Sequence, residues 1–432
     1  MSDIIVQTVR SNGELTPYFA RKLNTTIRVA ASNSSANAKQ RADYLCDGVD
    51  DQVQIQAAID SIALTGGTVQ LESGNYSVTS AILITTSNIA IIGRGRNTII
   101  TPVWNALSPQ AYVIRCDGPY PTYLTKLSFS NFAIVTTAPF DVSTNGGFIG
   151  VVWGTLFFQY CSNFQVDNIY GERVGFLVDT RTCEKFSVSN IRTKDSAGCH
   201  ALVTCSDVII SHMVGDNVKV VVDFANVDNA TATQISGTMM ALADPTLKVG
   251  IDMGSCRNVA ISGGSLRGFW AGVHFKHEGF GTGPTSISGL TLEDCILAGV
   301  YVNMAGHITG ERLGSLLVDT CTFKGTGSGV NISGYAKDIT VSNCDINVAS
   351  YGVVVANGSN NTKITGSTVR STGEYAIFGG LLAGNTGLAP DGLIVSGCTL
   401  QSSGTNATVF LSEFKNINFF ANTIESSGGH GV

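Results

Sequence analysis

The chain has 432 residues, 44% hydrophobic and only 13% charged, with a net charge of −6. That balance excludes a nucleic-acid binder built on a basic stripe, and no stretch approaches the length and apolarity of a membrane span. Low charge with 49 glycines and 9 prolines points to turn-rich β structure, because glycine supplies the positive φ that tight corners need.

Residues 1–40 are polar and mixed, with a Ser/Asn/Ala-rich stretch from Ala31 to Ala38. They read as an N-terminal arm or attachment segment followed by a linker. The first residues lack a basic region followed by an apolar run, so no secretory signal is predicted and folding in a reducing cytoplasm is expected. Residues 41–100 read as a cap and first coils. Asp50 or Asp51 is placed to N-cap a short helix with apolar positions Val53, Ala57, Ile59 and Ile62. Gly66-Gly67 ends it, and strands follow from Thr68, from Ile82 and from Ile89.

From residue 101 to 432 one phrase recurs: an aliphatic, a small polar residue, then Gly or Asn. It reads Val166-Asp167-Asn168, Val188-Ser189-Asn190, Ile210-Ser211-His212, Ile235-Ser236-Gly237, Ile261-Ser262-Gly263 and Ile287-Ser288-Gly289. It continues as Val318-Asp319-Thr320, Val341-Ser342-Asn343, Ile364-Thr365-Gly366 and Val395-Ser396-Gly397, with a worn copy at Phe419. A repeat every 22 to 31 residues predicts an all-β solenoid in which each copy is one coil stacked on the last. Of 11 cysteines, Cys321, Cys344 and Cys398 each fall three residues after an anchor. No metal-type spacing occurs, so they read as a column of buried free thiols, and no metal or cofactor is predicted.

Each coil holds a second strand beyond its anchor, and alternation sorts its residues into inward and outward columns. In one outward column Asp252 falls beside His274, with Tyr301 and Asn331 on the next rungs. The adjacent column takes Asp179, Thr204, Asp223, Lys276 and Asn303. Asp223 and Asp252 are then diagonal neighbours about 8 Å apart, and Asp179 and Asp223 lie two rungs apart at roughly 10 Å. Either is compatible with two carboxylates straddling a glycosidic bond. Asp223, Asp252 and His274 are the candidate catalytic group; Asp179, Lys276, Tyr301, Asn303 and Trp270 are candidate substrate contacts. The same residue types also suit an ordinary solvated face. His277, Glu278 and Arg267 come from the coil of His274, and Trp104 and Trp153 lie in or beside loops that could present sugar-stacking faces.

The phrase Asp47-Gly48-Val49-Asp50-Asp51, with Ile55-Gln56-Ala57-Ala58-Ile59-Asp60, Gly66-Gly67-Thr68-Val69 and Gly74-Asn75-Tyr76, resembles the N-terminal signature of pectate-lyase-like right-handed parallel β-helix proteins. It is especially similar to that of bacteriophage tailspikes and appendage proteins. The resemblance covers residues 43–100 and implies a right-handed, single-stranded parallel β-helix with a short capping helix. It further implies a homotrimer, joined to a virion tail by its N-terminal arm, that binds a cell-surface polysaccharide and can depolymerise it. Superfamily members include lyases, hydrolases, epimerases and adhesins, so a cellular polysaccharide lyase or hydrolase and a non-catalytic adhesin or structural fibre stand as alternatives.

Overall fold

The computed structural model describes residues 6–9, 15–18, 25–103, 112–137, 154–239, 248–276, 284–304, 314–325, 327–334, 336–381, 389–404 and 406–426. Among them the chain is a parallel β-helix. Val6–Val9 and Leu15–Tyr18 pair antiparallel; strands from Thr25 onward pair parallel, each coil with the one before and after. Cys161–Glu172 shows the plan of a coil. It runs straight to Asp167, bends at Asn168, and resumes from Ile169; Phe176–Arg181 then forms a third face. The third faces stack into a thirteen-stranded sheet running from Ile82–Ile84 to Val409–Leu411.

The repeated phrase is the bend. Its third residue adopts φ of 50 to 66° at Asn168, Asn190, His212, Gly263, Gly289, Thr320, Asn343, Gly366 and Gly397. Glycine and asparagine tolerate this left-handed conformation best, which explains their prevalence there. The aliphatic anchors pair in register as Val166, Val188, Ile210, Ala232 and Ile261, all buried. One anchor expected from sequence is therefore displaced. Ile235 pairs with Met213, beyond the bend, and Ala232-Thr233-Gln234 holds the anchor position with Gln234 at φ 55°. Two overlapping copies of the phrase compete in Ala232–Gly237, and the more aliphatic one is the decoy.

All 11 cysteines are buried and free. Cys321, Cys344 and Cys398 face the core as expected, and a second set, Cys161, Cys183, Cys205 and Cys256, does the same in earlier coils. Burial pushes the thiols of Cys199 and Cys205 up to about 12, so they remain protonated and pack as small apolar groups.

At the N-terminal end the helix Gln52–Ile62 buries Ile55, Ala58, Ile59 and Ile62, while Val53 stays exposed. Asp51 sits at the N-cap, but its side chain does not cap. It accepts hydrogen bonds from the Gly48 amide at 2.9 Å and the Ser77 amide at 2.7 Å, stitching the loop to the first coil. Residues 25–40, expected to belong to the arm and linker, are integrated. Thr25–Ala30 pairs with Gly67–Leu71, and Val29, Ala30 and Ala31 are fully buried. Their apolar content is diluted by Ser and Asn nearby, which disguises a strand as a linker.

Candidate functional site

The thirteen-stranded sheet decides which outward residues meet. Its register aligns Asp179, Ala201, Asp223, Asp252, His274, Tyr301 and Asn331 in one column. Asp252 is beside His274 as the sequence predicted, with Tyr301 and Asn331 on the next rungs. Asp223 is not diagonal to Asp252 but directly beside it, one rung or about 4.8 Å along the stack. Asp179 also joins this column rather than its neighbour, and Thr204 leaves the sheet face for a left-handed turn. Alternation fixes which face a side chain takes; a slip of two residues keeps the face and changes the column. Val220–Ala225 and Phe176–Arg181 are the strands where that slip occurred.

Lys276 holds the two carboxylates together. Its Nζ lies 2.7 Å from Asp252 Oδ2 and 3.9 Å from Asp223 Oδ1. Asp252 Oδ1 is 3.1 Å from His274 Nδ1. Burial raises the Asp252 pKa, but the His274 hydrogen bond and the Lys276 charge outweigh it and leave the carboxyl below its ordinary value. Asp252 is therefore an anion that orients the imidazole. The Tyr301 ring stacks on His274 at 5.5 Å and 11°, and Trp270 meets both rings edge-on at 5.8 and 5.4 Å. Burial raises the Tyr301 hydroxyl pKa, keeping its proton in place. His274 Nε2 is buried and has no hydrogen-bond partner among the described residues. An orphaned polar atom of that kind marks a place where a ligand or water belongs.

Lys219, Lys248 and Trp270 occupy equivalent positions just before successive strands, linked by Val249 N to Lys219 O and Trp270 N to Lys248 O. Burial lowers the Lys219 pKa, with Asp223 and Asp252 opposing it. Sequence reasoning passed over both lysines; their signal was a position four residues ahead of an outward Asp. Asn303 pairs with Lys276 in the neighbouring column, as expected. Asp179 is only 3% exposed and clamped by Arg181 through bonds of 3.2 and 3.0 Å. Its carboxylate is used inside the stack, which corrects its expected place among the substrate contacts. Arg267 pairs with Asp294 at 3.2 Å, away from the cluster's hydrogen bonds. Trp104, Trp153, His277 and Glu278 lie outside the described residues.

A groove of about 600 Å³ lies on a different face, lined by Lys126, Gln165, Lys185, Ser187, Asp207 and Ile209 among others. It is shallow and open. The chemistry is concentrated at Asp252 instead. No group of three or more His, Cys, Asp or Glu among the described residues is arranged to hold a metal ion.

A family model described as a right handed beta helix region matches residues 271–432, in keeping with a right-handed coil. No curated protein matches the sequence. Among solved structures, the catalytic unit of a thermostable GH87 α-1,3-glucanase from Streptomyces thermodiastaticus strain HF3-3 is similar with a TM-score of 0.58 and 13% identity. That alignment covers 81% of this chain and 65% of that one. A GH87 α-1,3-glucanase catalytic domain in complex with nigerose gives 0.50 and 14%, covering 87% and 67%. PfbA, a surface adhesin of Streptococcus pneumoniae, gives 0.49 and 16%, covering 87% and 90%. At such identities the likeness concerns the fold alone.

Proposed function

We propose that this chain binds a polysaccharide along its thirteen-stranded sheet and processes it at the Asp223–Asp252–His274–Tyr301 cluster. The observation that carries the reading is the in-register line of two carboxylates, an imidazole and a phenol, with one ammonium within 4 Å of both carboxylates. Asp252 is charged and fixes His274 Nδ1, so Nε2 is the pole that exchanges a proton with substrate. Asp223, one rung away and sharing Lys276 with Asp252, supplies negative charge or a nucleophile close by. Two neighbours in fold are α-1,3-glucanases by description, which supports a glycan as ligand class.

The test is incubation with purified capsular and lipopolysaccharide glycans, with product length followed by size-exclusion chromatography. Asp252→Asn and His274→Gln are expected to lower the cleavage rate by about 10²–10⁴-fold. A cleavage rate left intact by both Asp223→Asn and Asp252→Asn would overturn the assignment. A new conjugated double bond, read by ultraviolet absorbance, separates elimination from hydrolysis, and retention of glycan without cleavage identifies an adhesin.

The finer reading is a virion tailspike: a homotrimer carried on a phage tail by its N-terminal arm, made in the host cytoplasm. Its support is the resemblance over residues 43–100. Light scattering is expected to give three times the mass of the chain, and a strict monomer rejects the tailspike in favour of a cellular enzyme or adhesin.

A further inference from the structure

The column that carries Asp252 and His274 continues beyond Asn331 through Val354 to Phe378 and Phe410. There it becomes aromatic. Phe378 and Phe410 stack at 5.6 Å and 12°, and Tyr351 and Tyr375 stack at 6.1 Å and 14°. Tyr375 lies 5.7 Å from Phe378 and 5.3 Å from Phe410, and Tyr351 lies 5.4 Å from Phe378. The four rings form one patch on the outer face; Phe410 is 40% exposed and the other three half-buried. Contiguous apolar surface of this kind marks a binding site more often than scattered exposed residues do.

Three features choose the occupant. The patch is aromatic throughout, with neighbouring ring centroids 5.3 to 6.1 Å apart. Pyranose rings present C–H groups on their faces and hydroxyls on their rims, so they match an aromatic patch edged by hydrogen-bonding groups. Glu374 and Asn406, joined at 2.9 Å, supply such an edge beside Tyr375. Finally, the patch is continuous with the acid cluster: Phe378 is four rungs, about 19 Å, from His274 along a single column. Asn331, whose Oδ1 accepts from Ser333 at 2.6 Å, is the polar residue between them.

We infer that Tyr351, Tyr375, Phe378 and Phe410 form a sugar-stacking subsite for the same glycan that the Asp252–His274 cluster handles, so that the polymer lies along the axis of the stack. The inference rests on the reading of that cluster as a glycan site and adds the direction in which the glycan runs.

Affinity electrophoresis in native gels cast with dextran, alginate, xylan or a purified bacterial capsular polysaccharide tests it. At least one polymer is expected to retard the wild-type protein. Phe378→Ala and Phe410→Ala are each expected to weaken that retardation about tenfold in apparent Kd. Leu64→Ala, an exposed apolar residue just past the N-terminal helix and off the thirteen-stranded sheet, is expected to leave retardation unchanged. Phe410 is exposed enough that its truncation leaves the core intact, so loss of folding does not obscure the result. Wild-type retardation unaltered by both Phe variants overturns the subsite while leaving the Asp252–His274 reading in place. No retardation by any of the four polymers overturns both. A fall in oligomer mass in Phe378→Ala or Phe410→Ala, read by light scattering, makes the patch a subunit interface and also overturns the subsite.

Discussion

A histidine inside an apolar column has to stay neutral, and His200 is such a residue. It faces the core between Val178 and Val222, fully buried, with Nε2 3.1 Å from Thr180 Oγ1. Burial pushes its pKa down to about 3. The unfolded chain takes up this proton near pH 6.5 and the folded chain refuses it until about pH 3. The unfolded state therefore binds more protons as pH falls, and stability drops through that window. From pH 6.5 to 5 the loss is about 2 kcal/mol. His200→Leu completes an aliphatic column and removes the titration. Thermal unfolding followed by circular dichroism at pH 7 and 5 is expected to show a smaller drop in midpoint for His200→Leu than for wild type. Equal drops would mean that His200 is not the acid-sensitive group. The same contrast separates His200 from His274: one imidazole is sealed among aliphatics, the other is held by a carboxylate.

At the scale of elements, the coil is built around its bends, and the bends tolerate some residues better than others. Thr320 is exposed and β-branched yet sits at φ 50°, where the equivalent residues before and after it are Gly289 and Asn343. A left-handed residue with a branched side chain is strained by about 1–2 kcal/mol, and its own bond to Asp319, at 3.3 Å, offsets little. Thr320→Gly trades that strain for extra chain entropy in the unfolded state, a net gain of about 0.5–1 kcal/mol. Its urea midpoint is expected to rise, and an unchanged or lower midpoint contradicts the strain argument. These bends were legible in sequence because Gly and Asn announce positive φ. The register between them was less so. Ser236-Gly237 imitated a bend, and a two-residue slip in Val220–Ala225 moved Asp223 by one column without moving it off its face. A period-2 pattern carries no information about slips of two, so Asp252 beside His274 was readable and Asp223 beside Asp252 was not.

The whole molecule extends in one dimension, and this determines what sequence can reveal and how damage spreads. The patch at Tyr351, Tyr375, Phe378 and Phe410 was missed because its members come from three successive coils, and only their strand register unites them. Each coil touches chiefly its two neighbours, so stability is a sum of local terms. Phe323 tests that directly. It is 1% exposed, lies between Leu292 and Ile346 on adjacent rungs, and fills the space against Gly299, where an added Cβ would come within 2.4 Å of its ring. Phe323→Ala is expected to cost about 3–5 kcal/mol, because the cavity opens where the backbone already has no side chain to collapse into it. The strand above that cavity is Ala298–Met304, which carries Tyr301. Hydrogen exchange read by mass spectrometry is therefore expected to speed up in residues 285–304, 316–325 and 328–348, with residues 161–203 unchanged. If exchange accelerates equally in both regions, the stack unfolds as one cooperative unit and the nearest-neighbour picture fails. If it is local, loosening beneath Tyr301 reaches His274 through the stacked ring pair, and the cleavage we propose for the cluster should fall in this variant although no residue of the cluster has changed.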